Sequence, residues 1–168
     1  ARERRTLIEE RLTGLREYSE KNPVNRIEWR DRSVGIITSG ISYQYVREAL
    51  PEASVLKLGM TWPLSEKLIR LFAEGVKRLL VVEELEPFIE EQVRAMGLAV
   101  SGKAYIPSAG ELSPGIVAAK MIEAGVLAPR SGPVAKVSPE GTPAVPGRPP
   151  VMCPGCPHRG VFYTLSRL

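Results

Sequence analysis

The sequence predicts an α/β fold, three layers built around a mostly parallel sheet, and three observations carry that reading. From Ser33 onward, short and nearly continuous aliphatic runs alternate with amphipathic stretches, the pattern of strands covered by helices on both faces. The punctuation between them (Pro51, Pro63, Pro87, Gly97) falls where helices begin or end. The chain is 43% apolar yet holds only 3 Phe, 2 Trp and 5 Tyr in 168 residues, so its core must be aliphatic.

The elements follow in order. Leu7 or Ile8, Leu12 and Leu15 recur at helical spacing from about Arg4 to Tyr18, a narrow stripe on a segment in which sixteen of the first 32 residues are charged. Asn22-Pro23 stops that helix, so residues 1–32 are expected to be a connector helix and linker. Val34–Thr38 reads as a first strand, and Ser39-Gly-Ile-Ser42 leads into a helix reaching about Leu50. Ala53–Leu58 reads as a second strand, and Pro63 sits near a helix with Leu64, Leu68, Ile69, Leu71 and Phe72 as apolar positions. Arg78–Val82 is the third strand. Pro87 opens a helix with Phe88, Ile89 and Val93 inward, and Leu98–Ser101 is expected as a fourth strand. Ser113 caps a helix running to about Ala124, closing a domain over 33–128. Seven prolines and three glycines occupy 129–150, which predicts a Pro-rich arm or linker. Beyond it, 159–168 reads as the first turns of another helix.

Charge and composition exclude several classes. The net charge of +4 comes from 23 basic and 19 acidic residues, interleaved along the chain without the one-signed stripe of a nucleic-acid binder. No apolar run approaches the ~20 residues of a membrane span, and Ala-Arg-Glu-Arg-Arg at the start is no signal peptide. The expected compartment is the cytoplasm, with neither nucleic acid nor membrane as partner.

The motifs differ in specificity. Thr38-Ser-Gly-Ile-Ser42 lies at a strand's carboxyl end, where open sheets place ligands, but it lacks the dinucleotide fingerprint and reads most simply as a glycine turn with a serine cap. Glu83, Glu84 and Glu86 share that edge without a base or nucleophile, and acids in a helix's first turn explain Glu84 and Glu86. No catalytic residue is assigned. Met60-Thr-Trp-Pro63 reads as a loop whose tryptophan packs on something, and Gly110-Glu-Leu-Ser-Pro114 as a turn into a capped helix. Cys153-Pro-Gly-Cys-Pro-His158 is the specific motif: Gly155 permits a turn tight enough for both sulfurs to face one centre. Thiolates suit zinc or an iron–sulfur cluster, but a closed site needs four ligands. A redox dithiol and two inert thiols remain as alternatives.

Ile36-Ile-Thr-Ser-Gly-Ile-Ser-Tyr-Gln-Tyr45, Leu56-Lys-Leu-Gly-Met-Thr-Trp-Pro-Leu64, Val81-Val-Glu-Glu-Leu-Glu-Pro87, Gly110-Glu-Leu-Ser-Pro114 and Cys153-Pro-Gly-Cys-Pro-His-Arg-Gly160 closely resemble the large (alpha) subunit of indolepyruvate:ferredoxin oxidoreductase. The likeness runs in order from Glu20 to the end of the chain. It implies a multidomain enzyme, dependent on thiamine diphosphate and magnesium, that decarboxylates aryl 2-oxoacids oxidatively to acyl-coenzyme A. Electrons pass through 4Fe-4S clusters to ferredoxin, and a beta subunit completes the enzyme. On that pattern, 33–128 resembles the transketolase C-terminal-like domain, which supports the thiamine domains without holding the cofactor. Residues 151–168 resemble the opening of the thiamine-diphosphate-binding domain. Carried over, Cys153 and Cys156 are ligands of the cluster nearest the thiamine, and Gly155 and His158 lie on a loop that approaches the cofactor. Pro157 stands where relatives with a confirmed cluster commonly carry glycine. The magnesium–diphosphate motif would lie downstream of Leu168 and the pyrimidine-binding domain upstream of Ala1, so these 168 residues alone should bind no cofactor and be inactive. A zinc-binding module and a transketolase-like enzyme without iron–sulfur chemistry are the competing readings.

Overall fold

The computed structural model describes residues 2–128 and 155–167, which belong to two compact units, 1–130 and 131–168. The first unit runs α1 (Arg2–Lys21), β1 (Arg26–Glu28), β2 (Asp31–Ser39), α2 (Ser42–Ala49), β3 (Ala53–Leu58), α3 (Glu66–Glu74), β4 (Arg78–Val82), α4 (Phe88–Ala95) and α5 (Pro114–Glu123). The second contributes α6 (His158–Leu165). The Pro-rich stretch 129–150 lies outside the described residues. Among the described residues, no helix is long and apolar enough to cross a membrane.

Four strands form one sheet in the order β1-β3-β2-β4. β2 runs parallel to both neighbours, with Ile36 opposite Val55 and Leu80, and Ile37 opposite Leu56 and Val81. Alternation then sorts the side chains onto two faces. Ile36, Val55, Leu80 and Val82 pack with Val46 of α2 and with Val117 and Met121 of α5. Ile37, Leu56, Leu58, Leu79 and Val81 pack with Ile69 and Phe72 of α3 and with Ile89 and Val93 of α4. The result is the expected three-layer α/β arrangement. Both faces of β2 are covered, which is why Gly35-Ile-Ile-Thr38 reads as an unbroken buried run. Gly35 is required there: a Cβ would come within 2.7 Å of the Val76 side chain and 3.0 Å of the Phe72 ring.

The sequence reading and the structure part at several places. The sheet's fourth strand is β1, antiparallel to β3, and not the segment at Leu98–Ser101. Of that segment only Ser101 bridges to the sheet, opposite Leu80. The chain leaves because the next residues are claimed elsewhere: Lys103 N donates to Glu90 Oε2 at 2.7 Å, and Tyr105 N and Ile106 N turn back to the Gly102 carbonyl at 3.0 and 2.9 Å. Phe88, expected inward, and Leu71, named as an apolar position of its helix, are 49% and 56% exposed. Each sits one position, about 100° of helix rotation, from the buried Ile89 or Phe72 that faces the sheet.

Edge strand β1 pairs with β3 and packs Ile27 against the core, and its charged residues tie it further. Glu28 accepts from Tyr43 Oη at 2.7 Å and Arg26 Nε at 2.9 Å. Burial by itself would raise the Glu28 carboxyl, but these hydrogen bonds and the nearby Arg26 and Arg47 charges outweigh it and hold the group below the usual carboxylate range. Just before β1, the buried Asn25 donates to the Ser19 carbonyl at 2.8 Å and accepts from Gly59 N and Met60 N at 2.9 and 3.0 Å. That one side chain ties the end of α1 to the loop after β3.

Candidate functional site

The connection β2–α2–β3 departs to one side of β2, and β3–α3–β4 returns to the other. α2 leaves on one face of the sheet and α4 on the opposite face. The loops after β2 and β4 therefore diverge, and a crevice opens between them at the carboxyl edge, the place where open α/β sheets bind ligands. A cleft of about 400 Å³ is found there, lined by Ser39–Ser42, Thr61, Glu83–Glu86, Phe88 and Ile89.

The floor is set by three glutamates with different tasks. Glu83 is 6% exposed, and its carboxylate accepts from Ile89 N at 2.8 Å and Glu90 N at 3.0 Å, capping the amino end of α4. Burial pushes its pKa up; the two backbone hydrogen bonds and Lys103 pull it back only in part. Glu84 Oε1 accepts from Leu112 N at 3.0 Å, tying this loop to the turn before α5. Glu86 is exposed. Behind them Glu90, 1% exposed, faces Arg94 Nη2 at 2.6 Å and accepts from Lys103 N. Gly102 allows the approach, since a Cβ there would sit 2.5 Å from Glu90 Oε2. Lys103 Nζ donates to the Glu83 carbonyl at 2.6 Å; burial lowers its pKa, against the attraction of the four glutamates.

The turn Thr38–Ser42 is built as expected in one respect and not in another. Gly40 has φ of +54°, the left-handed value only glycine adopts freely. The residue before α2, however, is Ile41, with no side-chain cap, so the serine cap is absent. Ser42 is instead 3% exposed and lines the cleft. The acid that caps α4 is Glu83, not Glu84 or Glu86. Ser113 does cap α5, accepting from Ile116 N at 3.3 Å.

In the second unit, Gly155 turns with φ of +78° and Cys156 is half-buried with a free thiol. Its Sγ lies 3.4 Å from Nδ1 of His158, the exposed first residue of α6. These two donors are brought together; Cys153 lies outside the described residues. Among the described residues no group of three or more His, Cys, Asp or Glu could hold a metal. A thiol and an imidazole suit one edge of a soft-metal or iron–sulfur site, but two donors do not close one.

A family model described as "Indolepyruvate oxidoreductase domain" matches residues 27–120. Among curated relatives, indolepyruvate oxidoreductase subunit IorA of Archaeoglobus fulgidus is 40% identical over 178 aligned residues, covering 100% of this chain and 28% of that protein. The IorA subunit of Thermococcus kodakarensis is 34% identical, covering 99% of this chain and 28% of its own. The chain thus spans little more than a quarter of the relatives it matches. One solved structure, a 2-oxoglutarate:ferredoxin oxidoreductase from Magnetococcus marinus, aligns with 59% of this chain and 19% of its own, at 20% identity and a TM-score of 0.48.

Proposed function

The chain belongs to the indolepyruvate oxidoreductase domain family, and from that premise we propose that it is a supporting stretch of the subunit that oxidises aryl 2-oxoacids such as indolepyruvate to acyl-coenzyme A with reduction of ferredoxin. The observation that carries this is identity of 34–40% to IorA subunits along essentially the whole chain. In this reading 33–128 is the transketolase C-terminal-like domain, 129–150 a linker and 151–168 the start of the domain that holds the cofactor. A beta subunit and ferredoxin are its partners, and the cytoplasm is its compartment.

Thiamine diphosphate with magnesium, when bound, supplies the electron sink for decarboxylation, and 4Fe-4S clusters take up the electrons. This chain's contribution is positional. Gly155 lets the loop reverse, so that Cys156, with Cys153, would supply thiolates to a cluster, and His158 stands beside Cys156 at the start of α6. The core domain contributes rigidity: Glu83 caps α4 and Glu84 ties its loop to the turn before α5, and among the described residues neither acid hydrogen-bonds a nucleophilic side chain.

The test is metal analysis of the full-length polypeptide, purified anaerobically with its partner subunit. Iron and acid-labile sulfide, with a loss of about four iron atoms per subunit in Cys156→Ser, are the expected results. Stoichiometric zinc without iron would overturn the proposal in favour of a zinc-binding module. The 168 residues alone should reduce no dye with an arylpyruvate.

A further inference from the structure

We propose that the carboxyl-edge cleft is a docking site for a partner polypeptide that presents an arginine or lysine flanked by apolar side chains. The inference goes beyond the family reading and does not depend on it.

The rim of the cleft is apolar and turned outward. Ile41, Leu85 and Phe88, which line it, are 52%, 64% and 49% exposed, and Trp62, its ring 6.4 Å from that of Phe88, is 59% exposed. Isolated exposed apolar residues need no explanation; four gathered around one crevice mark an interaction site. Leu85 sharpens the point. Its φ of +56° is an unfavourable backbone state for a branched residue, of the order of 1–2 kcal/mol, and it presents a side chain that is 64% exposed.

The interior decides the sign of the ligand. The amino end of α2 opens onto the cleft and by itself would favour an anion, but it amounts to about half a positive charge. Against it stand three glutamates among the lining residues, with no lysine or arginine among them. Glu83 is committed to the amino end of α4, and Lys103 is held beneath by the Glu83 and Pro107 carbonyls. That leaves Glu84 Oε2 and both oxygens of Glu86 without a hydrogen bond or ion pair among the described residues. The lining is acidic by formal charge, offset in part by Lys103 beneath it, in a chain whose net charge is +4. Ser42, 3% exposed as a residue, lines the same cleft, and its hydroxyl makes no hydrogen bond among the described residues. Hydroxyl and carboxylate oxygens accept from a guanidinium or ammonium group, and Trp62 and Phe88 supply faces for its stem and its apolar neighbours.

The test titrates the isotope-labelled 168-residue chain with three acetylated, amidated peptides: Leu-Arg-Leu-Arg-Leu, the same with citrulline for arginine, and the same with glutamate. The arginine peptide should bind saturably and shift the amides of Ser39–Ser42, Thr61, Trp62 and Glu83–Phe88. Citrulline keeps the shape and removes the charge, and should weaken binding about fivefold to tenfold, as expected for two partly exposed ion pairs. Glu84→Gln with Glu86→Gln should weaken the arginine peptide by a similar factor and leave the citrulline peptide unchanged; glutamine at 84 keeps an acceptor for Leu112 N, so the loop stays tied. Equal binding of the arginine and citrulline peptides, preference for the glutamate peptide, no shifts at the cleft, or the same shifts produced by self-association of the chain alone would each overturn the proposal.

Discussion

Replacing Asn25 by alanine should destabilise the core domain and loosen one wall of the cleft. Asn25 is 6% exposed and makes three hydrogen bonds: Nδ2 donates to Ser19 O at 2.8 Å, and Oδ1 accepts from Gly59 N at 2.9 Å and Met60 N at 3.0 Å. Alanine leaves two backbone donors and one carbonyl without partners. At about 1 kcal/mol each, with the two half-buried amides regaining part of the loss from water, the expected cost is about 2–3 kcal/mol. For a domain of this size that corresponds to a fall of roughly 10 °C in Tm. The loss is also local. Gly59 lies close against Val24, where an added Cβ would sit 2.5 Å from the backbone oxygen, so the hydrogen bonds of Asn25 and this contact hold the same loop. The loop 59–62, which carries Thr61 and Trp62, should therefore open. Urea denaturation measures the first effect and hydrogen exchange at the Gly59 and Met60 amides the second, with protection falling more there than at Ile36 or Ile37 in β2. A stability change under about 0.5 kcal/mol, or unchanged exchange at these two amides, would refute the reasoning.

Other perturbations test different parts of the structure. Thr38 Oγ1 is fully buried on β2 without a partner, so Thr38→Val should be neutral or stabilising by up to about 1 kcal/mol in thermal denaturation. Gly35→Ala should cost about 1–3 kcal/mol, because the new methyl meets Val76 at 2.7 Å in a packed layer. Burial raises the pKa of Glu83 above the ordinary glutamate value of about 4.5, so the folded state binds its proton more tightly than the unfolded chain. The stability this contributes is fully present below that ordinary value and is lost as pH rises through the raised one. The stability of the native protein relative to Glu83→Gln should accordingly fall as pH rises above about 4.5 and through the raised value, read as the difference in urea midpoints.

Local pattern reached as far as the core because its strands are buried on both faces. Ala53–Leu58 and Arg78–Val82 are apolar along their length and need no partner to be recognised, and the same holds for the helices bounded by Pro51, Pro87 and Ser113. β1 escaped because three residues, Arg26-Ile-Glu28, carry one apolar side chain and no period; its strandness lies in pairing with Lys57, Leu56 and Val55. Leu98–Ser101 misled for the opposite reason. Its composition is that of a strand, but a buried glutamate thirteen residues before Lys103 takes the backbone out of the sheet.

The candidate site divides along the same line. Cys153-Pro-Gly-Cys-Pro-His158 is a contiguous motif, so its chemistry could be named from the sequence, and the family was legible in contiguous blocks of the chain. The cleft is assembled from three loops after three strands. That Glu83 caps a helix while Glu86 makes no hydrogen bond among the described residues, and that Trp62 meets Phe88 at its rim, depends on strand order and on which face each helix covers. Sequence alone determined the layers, the aliphatic core and the family, because those follow from local period and residue type. Tertiary structure alone decided which acid is spent and which is left over, because a carboxylate's role is set by the groups that the fold brings to it.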